Sequence, residues 1–131
     1  MKRHERVVGF AVLTSSISLF LAAAAAGGQD GKVVTVTAGK PTEFGFTLST
    51  KAVPQGAITF KVTNRGQISH DFKICKKGGS ANACVGTVTA LLSPGQSATL
   101  NYTFRASGSF EYLCTVPGHA AAGMKGDIKV S

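Results

Sequence analysis

Apolar and polar residues alternate with a period of two along most of the chain beyond residue 31, which is the signature of half-buried β-strands. Val34 and Val36 alternate with Thr35 and Thr37, and Phe44, Phe46 and Leu48 fall on one face of the next run. Ile58, Phe60 and Val62 share a face, as do His70, Phe72 and Ile74, with Asp71 and Lys73 opposite. Leu100, Tyr102 and Phe104 repeat the pattern, followed by Phe110, Tyr112 and Cys114, then Ile128 and Val130. Turn residues punctuate these runs at Gly39–Lys40–Pro41, Val53–Pro54–Gln55–Gly56, Asn64–Arg65–Gly66, Ser93–Pro94–Gly95 and Ser107–Gly108. Lys76–Ala83 reads as a polar loop, and Val85–Leu92 as a short strand or a helical turn. About seven or eight short strands separated by such turns predict an all-β, Greek-key β-sandwich. There is no internal repeat and no second domain.

The first 26 residues follow another rule. Lys2, Arg3 and Arg6 precede an uncharged stretch from Val7 to Leu21, and Ala22–Ala26 supply small residues suited to cleavage. This is the pattern of a secretory signal peptide, so the folded domain is expected over residues 27–131, in the periplasm or outside the cell. Left uncleaved, the 20 uncharged residues Val7–Ala26 would just suffice as a membrane anchor.

Composition then narrows the function. With 44% hydrophobic and 15% charged residues the chain is not disordered. Loss of Lys2, Arg3, Glu5 and Arg6 lowers the formal charge from +8 to +6, eleven bases against five acids. Those bases are scattered, with only Lys76 and Lys77 adjacent, so no nucleic-acid stripe forms. A solvated basic surface that steers acidic partners is the better reading.

Two runs carry chemistry: Ser69–His70–Asp71–Phe72, and the segment from Cys114 through His119 to Met124, which reads C-x4-H-x4-M. His70, Cys114, His119 and Met124 supply two imidazoles, a thiolate and a thioether, the set that suits a trigonal copper site with a long axial Met. Cys114 ends a strand, and a turn at Pro117–Gly118 can swing His119 back toward its sulfur. A second turn over Ala120–Gly123 can bring Met124 beneath the same metal. Apart from His4 and the initiator Met1, these are all the His and Met of the chain, so ligand counting and spacing agree. Each residue alone would be explained as packing. The four in this order would not.

Three Cys leave one over in an oxidising compartment. A Cys75–Cys84 bridge across the polar loop is expected, with Cys114 kept reduced by a metal; pairing of Cys114 with either of the others is the alternative. An enzyme with Cys114 as nucleophile and a His as base would leave Met124 idle, and Asp71 would point away from His70 along the strand.

Phe110–Glu111–Tyr112–Leu113–Cys114–Thr115–Val116–Pro117–Gly118–His119, with Gly123–Met124–Lys125–Gly126, resembles the copper loop of the cupredoxins, the plastocyanin, azurin and auracyanin group of small blue copper proteins. The resemblance implies a Greek-key sandwich with one type 1 copper ion at one end. It makes His70, Cys114 and His119 equatorial ligands and Met124 the axial one. Two features depart from azurins: four residues separate His119 from Met124, nearer to auracyanin, and Ser69 replaces the glycine before the first His. Asp71 stands where many members have Asn, which implies altered hydrogen bonds around the Cys114 loop. The implied function is a monomeric single-electron carrier, not an enzyme, with transient redox partners docking near His119. A copper carrier or sequestering module would present the same ligands.

Overall fold

The computed structural model describes residues 31–77 and 84–131. The expected signal segment, residues 1–26, and most of the polar loop lie outside the described residues. Nine strands form among them: β1 (Lys32–Ala38), β2 (Phe46–Leu48), β3 (Ala52–Val53), β4 (Gly56–Asn64), β5 (Lys73–Lys77), β6 (Val85–Val88), β7 (Ser97–Phe104), β8 (Gly108–Leu113) and β9 (Lys125–Val130). One sheet has the order β2-β1-β4-β7 and the other β3-β9-β8-β5-β6, with the chain passing repeatedly between them. Parallel pairing of β1 with β4 and of β3 with β9 makes both sheets mixed; the fold is the expected all-β sandwich.

The period-two faces become the core. Val34, Val36, Ile58, Phe60, Val62, Phe72, Ile74, Leu100, Phe104, Tyr112, Ile128 and Val130 are buried between the sheets. Removing this apolar area from water is the main favourable term in folding, at about 25 cal/mol per Å². Phe72 sits at its centre, edge-on to Phe46 at 5.2 Å and against Phe60 and Tyr112 at 5.5 Å. Such pairs add about 0.5–1.5 kcal/mol beyond burial. Because Phe72 lies two residues from His70, this packing also fixes the segment that carries the imidazole.

Two details differ from the expected elements. Val53 belongs to a two-residue strand rather than a turn, because Ala52 and Val53 pair with Lys129 and Val130 and the Val53 side chain is buried. Phe44 is not part of the strand that holds Phe46 and Leu48. The chain turns before Gly45, whose carbonyl accepts the Gly39 N–H, and leaves the Phe44 ring half exposed. The 85–92 segment resolves as strand β6 plus an isolated bridge between Leu92 and His70. Cys75 and Cys84 are disulfide-bonded with Cα atoms 5.3 Å apart, and Cys114 is a free, buried thiol.

Candidate metal centre

Four connections meet at one end of the sandwich: β1–β2, β4–β5, β6–β7 and β8–β9. His70 enters from the second. Its backbone N–H donates to the Leu92 carbonyl at 3.0 Å and its carbonyl accepts the Leu92 N–H at 2.8 Å, so the residue is pinned on both sides. Cys114 follows the last residue of β8, and its N–H donates to the Met124 carbonyl at 3.1 Å. Between them the loop folds back: the His119 N–H donates to the Val116 carbonyl and the Met124 N–H to the His119 carbonyl, both at 3.0 Å. Gly118 takes φ of +84°, a left-handed value that glycine adopts without a Cβ clash, and this turns the chain toward the sulfur.

These turns bring the predicted residues together. One ligand atom each from His70, Cys114 and His119 lies within 4.8 Å of the others, and all three residues are buried. The two Nδ1 atoms are 3.2 Å apart, and Cys114 Sγ lies 3.6 Å from His119 Nδ1. Met124 is fully buried in a cluster with Cys114 and Ala38, with Phe46 and Val116 at its edge.

The electrostatics suit a cation. Burial pushes the Cys114 thiol up to about 11, because a thiolate without a positive partner is costly in this environment. Burial, and then the nearby His70, hold His119 below its ordinary value of 6.5, which favours the neutral ring. Two facing imidazole nitrogens and a buried sulfur need a proton or a metal ion between them. The donor set of two neutral imidazoles, a thiol and a nearby thioether fits copper.

Around the cluster stand Asp71, whose place the sequence had marked, and other residues that it did not single out. Glu43, in the β1–β2 connection, places Oε1 2.8 Å from His70 Nε2. The Gln67 N–H, then His70 and the Ile68 N–H, outweigh partial burial and hold its carboxyl below the ordinary 4.5, hence ionised. Asn64 is fully buried: its amide donates to the Ile68 and Leu92 carbonyls at 2.8 Å, and its Oδ1 accepts the Gly66 N–H at 2.8 Å. It ties the two connections that flank His70. The Phe44 ring packs edge-on against His119 with centroids 5.0 Å apart. Asp71 accepts the Thr115 N–H at 2.6 Å and the Thr115 hydroxyl, bracing the residue after Cys114 from the β4–β5 connection that carries His70. The Asp at this position therefore anchors the copper loop through acceptors alone.

A buried sandwich-end cluster of two imidazoles and a cysteine defines the chain as a cupredoxin by fold and donor set. Residues 32–131 match the copper binding proteins of the plastocyanin/azurin family, and the chain belongs to that family. Its cofactor is one copper ion. Among curated relatives, the copper-resistant cuproprotein CopI of Vibrio cholerae is 29% identical over 119 residues, covering 81% of this chain and 69% of the relative. Rusticyanin of Acidithiobacillus ferrooxidans is 35% identical over 94 residues, covering 62% of this chain and 49%, about half, of the relative. The solved structure of dithionite-reduced auracyanin from Roseiflexus castenholzii superposes with a TM-score of 0.60 at 25% identity, over 76% of this chain and 96% of that one.

Proposed function

We propose that the protein is an exported type 1 blue copper protein that carries single electrons, with His70, Cys114 and His119 as equatorial ligands and Met124 as the weak axial one. The observation that supports it best is the convergence of the three ligand atoms within 4.8 Å in a fully folded, buried setting. The metal supplies one-electron cycling between Cu(I) and Cu(II). The chain's part is to hold the donors in place and keep water out. Backbone hydrogen bonds fix His70, Cys114, His119 and Met124 individually, so little rearrangement need accompany a change of charge. The exposed residues Pro117, Gly118, Ala121, Ala122 and Gly123 surround the nearly buried His119, with Phe44 alongside. An apolar surface of this kind suits a brief encounter that buries less than about 1,200 Å². The signal-peptide pattern of residues 1–26 supports export of the domain, read as a monomer, to the periplasm or outside the cell.

The test is the visible and electron paramagnetic resonance spectrum of the copper-loaded domain. An intense blue band and a small parallel hyperfine splitting are expected, both lost in Cys114→Ser because the thiolate carries them. A blue band that survives in Cys114→Ser sinks the ligand assignment.

The likeness to CopI, named for copper resistance, favours a second reading in which the protein sequesters copper without a redox partner. Electron self-exchange separates the two. Fast exchange with copper retained against a competing chelator supports the carrier; slow exchange with ready loss of copper supports sequestration.

A further inference from the structure

The His70 ring has two nitrogens, and only one can serve a metal while the other keeps a proton. Nδ1 faces His119 Nδ1 and the Cys114 sulfur; Nε2 faces the Glu43 carboxylate at 2.8 Å. An ionised carboxylate only accepts hydrogen bonds, so the nitrogen against it must donate.

Glu43 is itself held in place. Its Oε1 and Oε2 accept the Gln67 N–H at 3.0 and 2.9 Å, and Oε1 accepts the Ile68 N–H at 3.1 Å. The surrounding backbone leaves the space these groups need. A Cβ at Gly66 would collide with the Glu43 carboxylate and come within 2.9 Å of His70 Nε2. Gly39, at φ +77°, lies so close to Gly66 that a Cβ there would run into its backbone. A residue 27 positions before the imidazole is thus clamped onto the nitrogen that does not face the cluster.

We propose that Glu43 is the positioning residue of the metal centre: its carboxylate holds the His70 ring with the proton on Nε2 and presents the bare Nδ1 to copper. The inference rests on His70 being a copper ligand, as argued above. A carboxylate behind a ligating imidazole orients the ring and raises its basicity, and loss of such a partner costs about 10–100-fold in metal affinity. It also adds negative charge beside the site, which favours Cu(II) over Cu(I).

Nitrogen NMR of the metal-free protein at pH 8 reads the His70 tautomer directly, before any copper is added. The proton is expected on Nε2 in the wild type, and a mixture of tautomers in Glu43→Ala. Glu43→Gln keeps an acceptor oxygen but not the charge. It should restore the Nε2–H tautomer and most of the Cu(II) affinity, while the reduction potential stays above the wild-type value. Cu(II) affinity, measured by competition with a chelator, should fall about 10–100-fold in Glu43→Ala. A wild-type His70 protonated on Nδ1 overturns the proposal, as do unchanged tautomer and affinity in Glu43→Ala. Should Glu43→Ala fail to fold, the wild-type tautomer and the Glu43→Gln potential still decide. A wild-type protein that binds copper without a blue band would instead refute the ligand assignment, and the tautomer result would stand apart from it.

Discussion

Copper loading of the metal-free protein should release a proton, and the amount can be worked from the burial of Cys114. The thiol is pushed up to about 11 because it lies fully buried, so at pH 7 it is almost wholly protonated. A ligating sulfur must be the thiolate. Removing its proton at pH 7, four pH units below about 11, costs about 5 kcal/mol at roughly 1.36 kcal/mol per unit. The apparent copper affinity should therefore rise about tenfold per pH unit from pH 7, flattening as the pH approaches about 11. His119, held below 6.5 by burial, adds little to this slope, and less as the pH rises above 7. Titration calorimetry at pH 8 in buffers of different ionisation enthalpy should count close to one proton released per copper from the thiol. Cys114→Ser should remove that proton from the count. A wild-type count near zero, or an affinity that is flat between pH 7 and 9, would mean that Cys114 is either ionised beforehand or not a ligand.

Met124→Leu should keep the blue colour and raise the reduction potential, because losing a weak axial donor leaves Cu(II) less stabilised; cyclic voltammetry checks it, and an unchanged potential would count against an axial role. Selective reduction of the Cys75–Cys84 bridge should lower the stability of the metal-free protein to denaturant by about 2–3 kcal/mol on loop entropy while the copper spectrum persists. The spectral part is the sharper test, since the bridge packs with Leu113 and Ala120, the neighbours of Cys114 and His119. Ala121→Asp and Ala122→Lys, both at exposed positions, should leave the spectrum intact and slow electron self-exchange measured by NMR line broadening. Unchanged exchange in both would place electron exit elsewhere.

The sandwich was legible because its strands are long enough to show a period. Val34–Val36, Ile58–Phe60–Val62 and Leu100–Phe104 alternate over several residues, and each set is buried as the alternation requires. Strand β3 has two residues and shows no period at all; it exists because Val53 and Ala52 align with β9, a partner some 77 residues away. Phe44 misled for the opposite reason. It is in phase with Phe46 and Leu48, and only the fold reveals that its ring leaves their face for His119. Apolar phase identifies a residue that wants cover, and it does not say what the residue will itself cover.

The candidate copper loop was legible for a different reason: three of the candidate donors lie within one short segment, where spacing alone constrains geometry. Cys114, His119 and Met124 are joined by backbone bonds inside the loop, so the local sequence nearly suffices to bring them round. His70 could be added because few other donors were available, and the bridge to Leu92 holds it in place. The two supporting carboxylates divide along the same line. Asp71 adjoins a candidate ligand and so is marked by the local sequence, although its partner Thr115 lies 44 residues away. Glu43 adjoins nothing of evident chemistry and stands among turn residues, where an acid is ordinarily a solvated charge. Its place depends on two glycines, Gly39 and Gly66, that let separate connections touch. Those glycines were visible only as turn formers, a role that gives no hint of contact between the turns. Residues that support a site through such long-range contacts carry no local mark, and they are found only when the chain is folded.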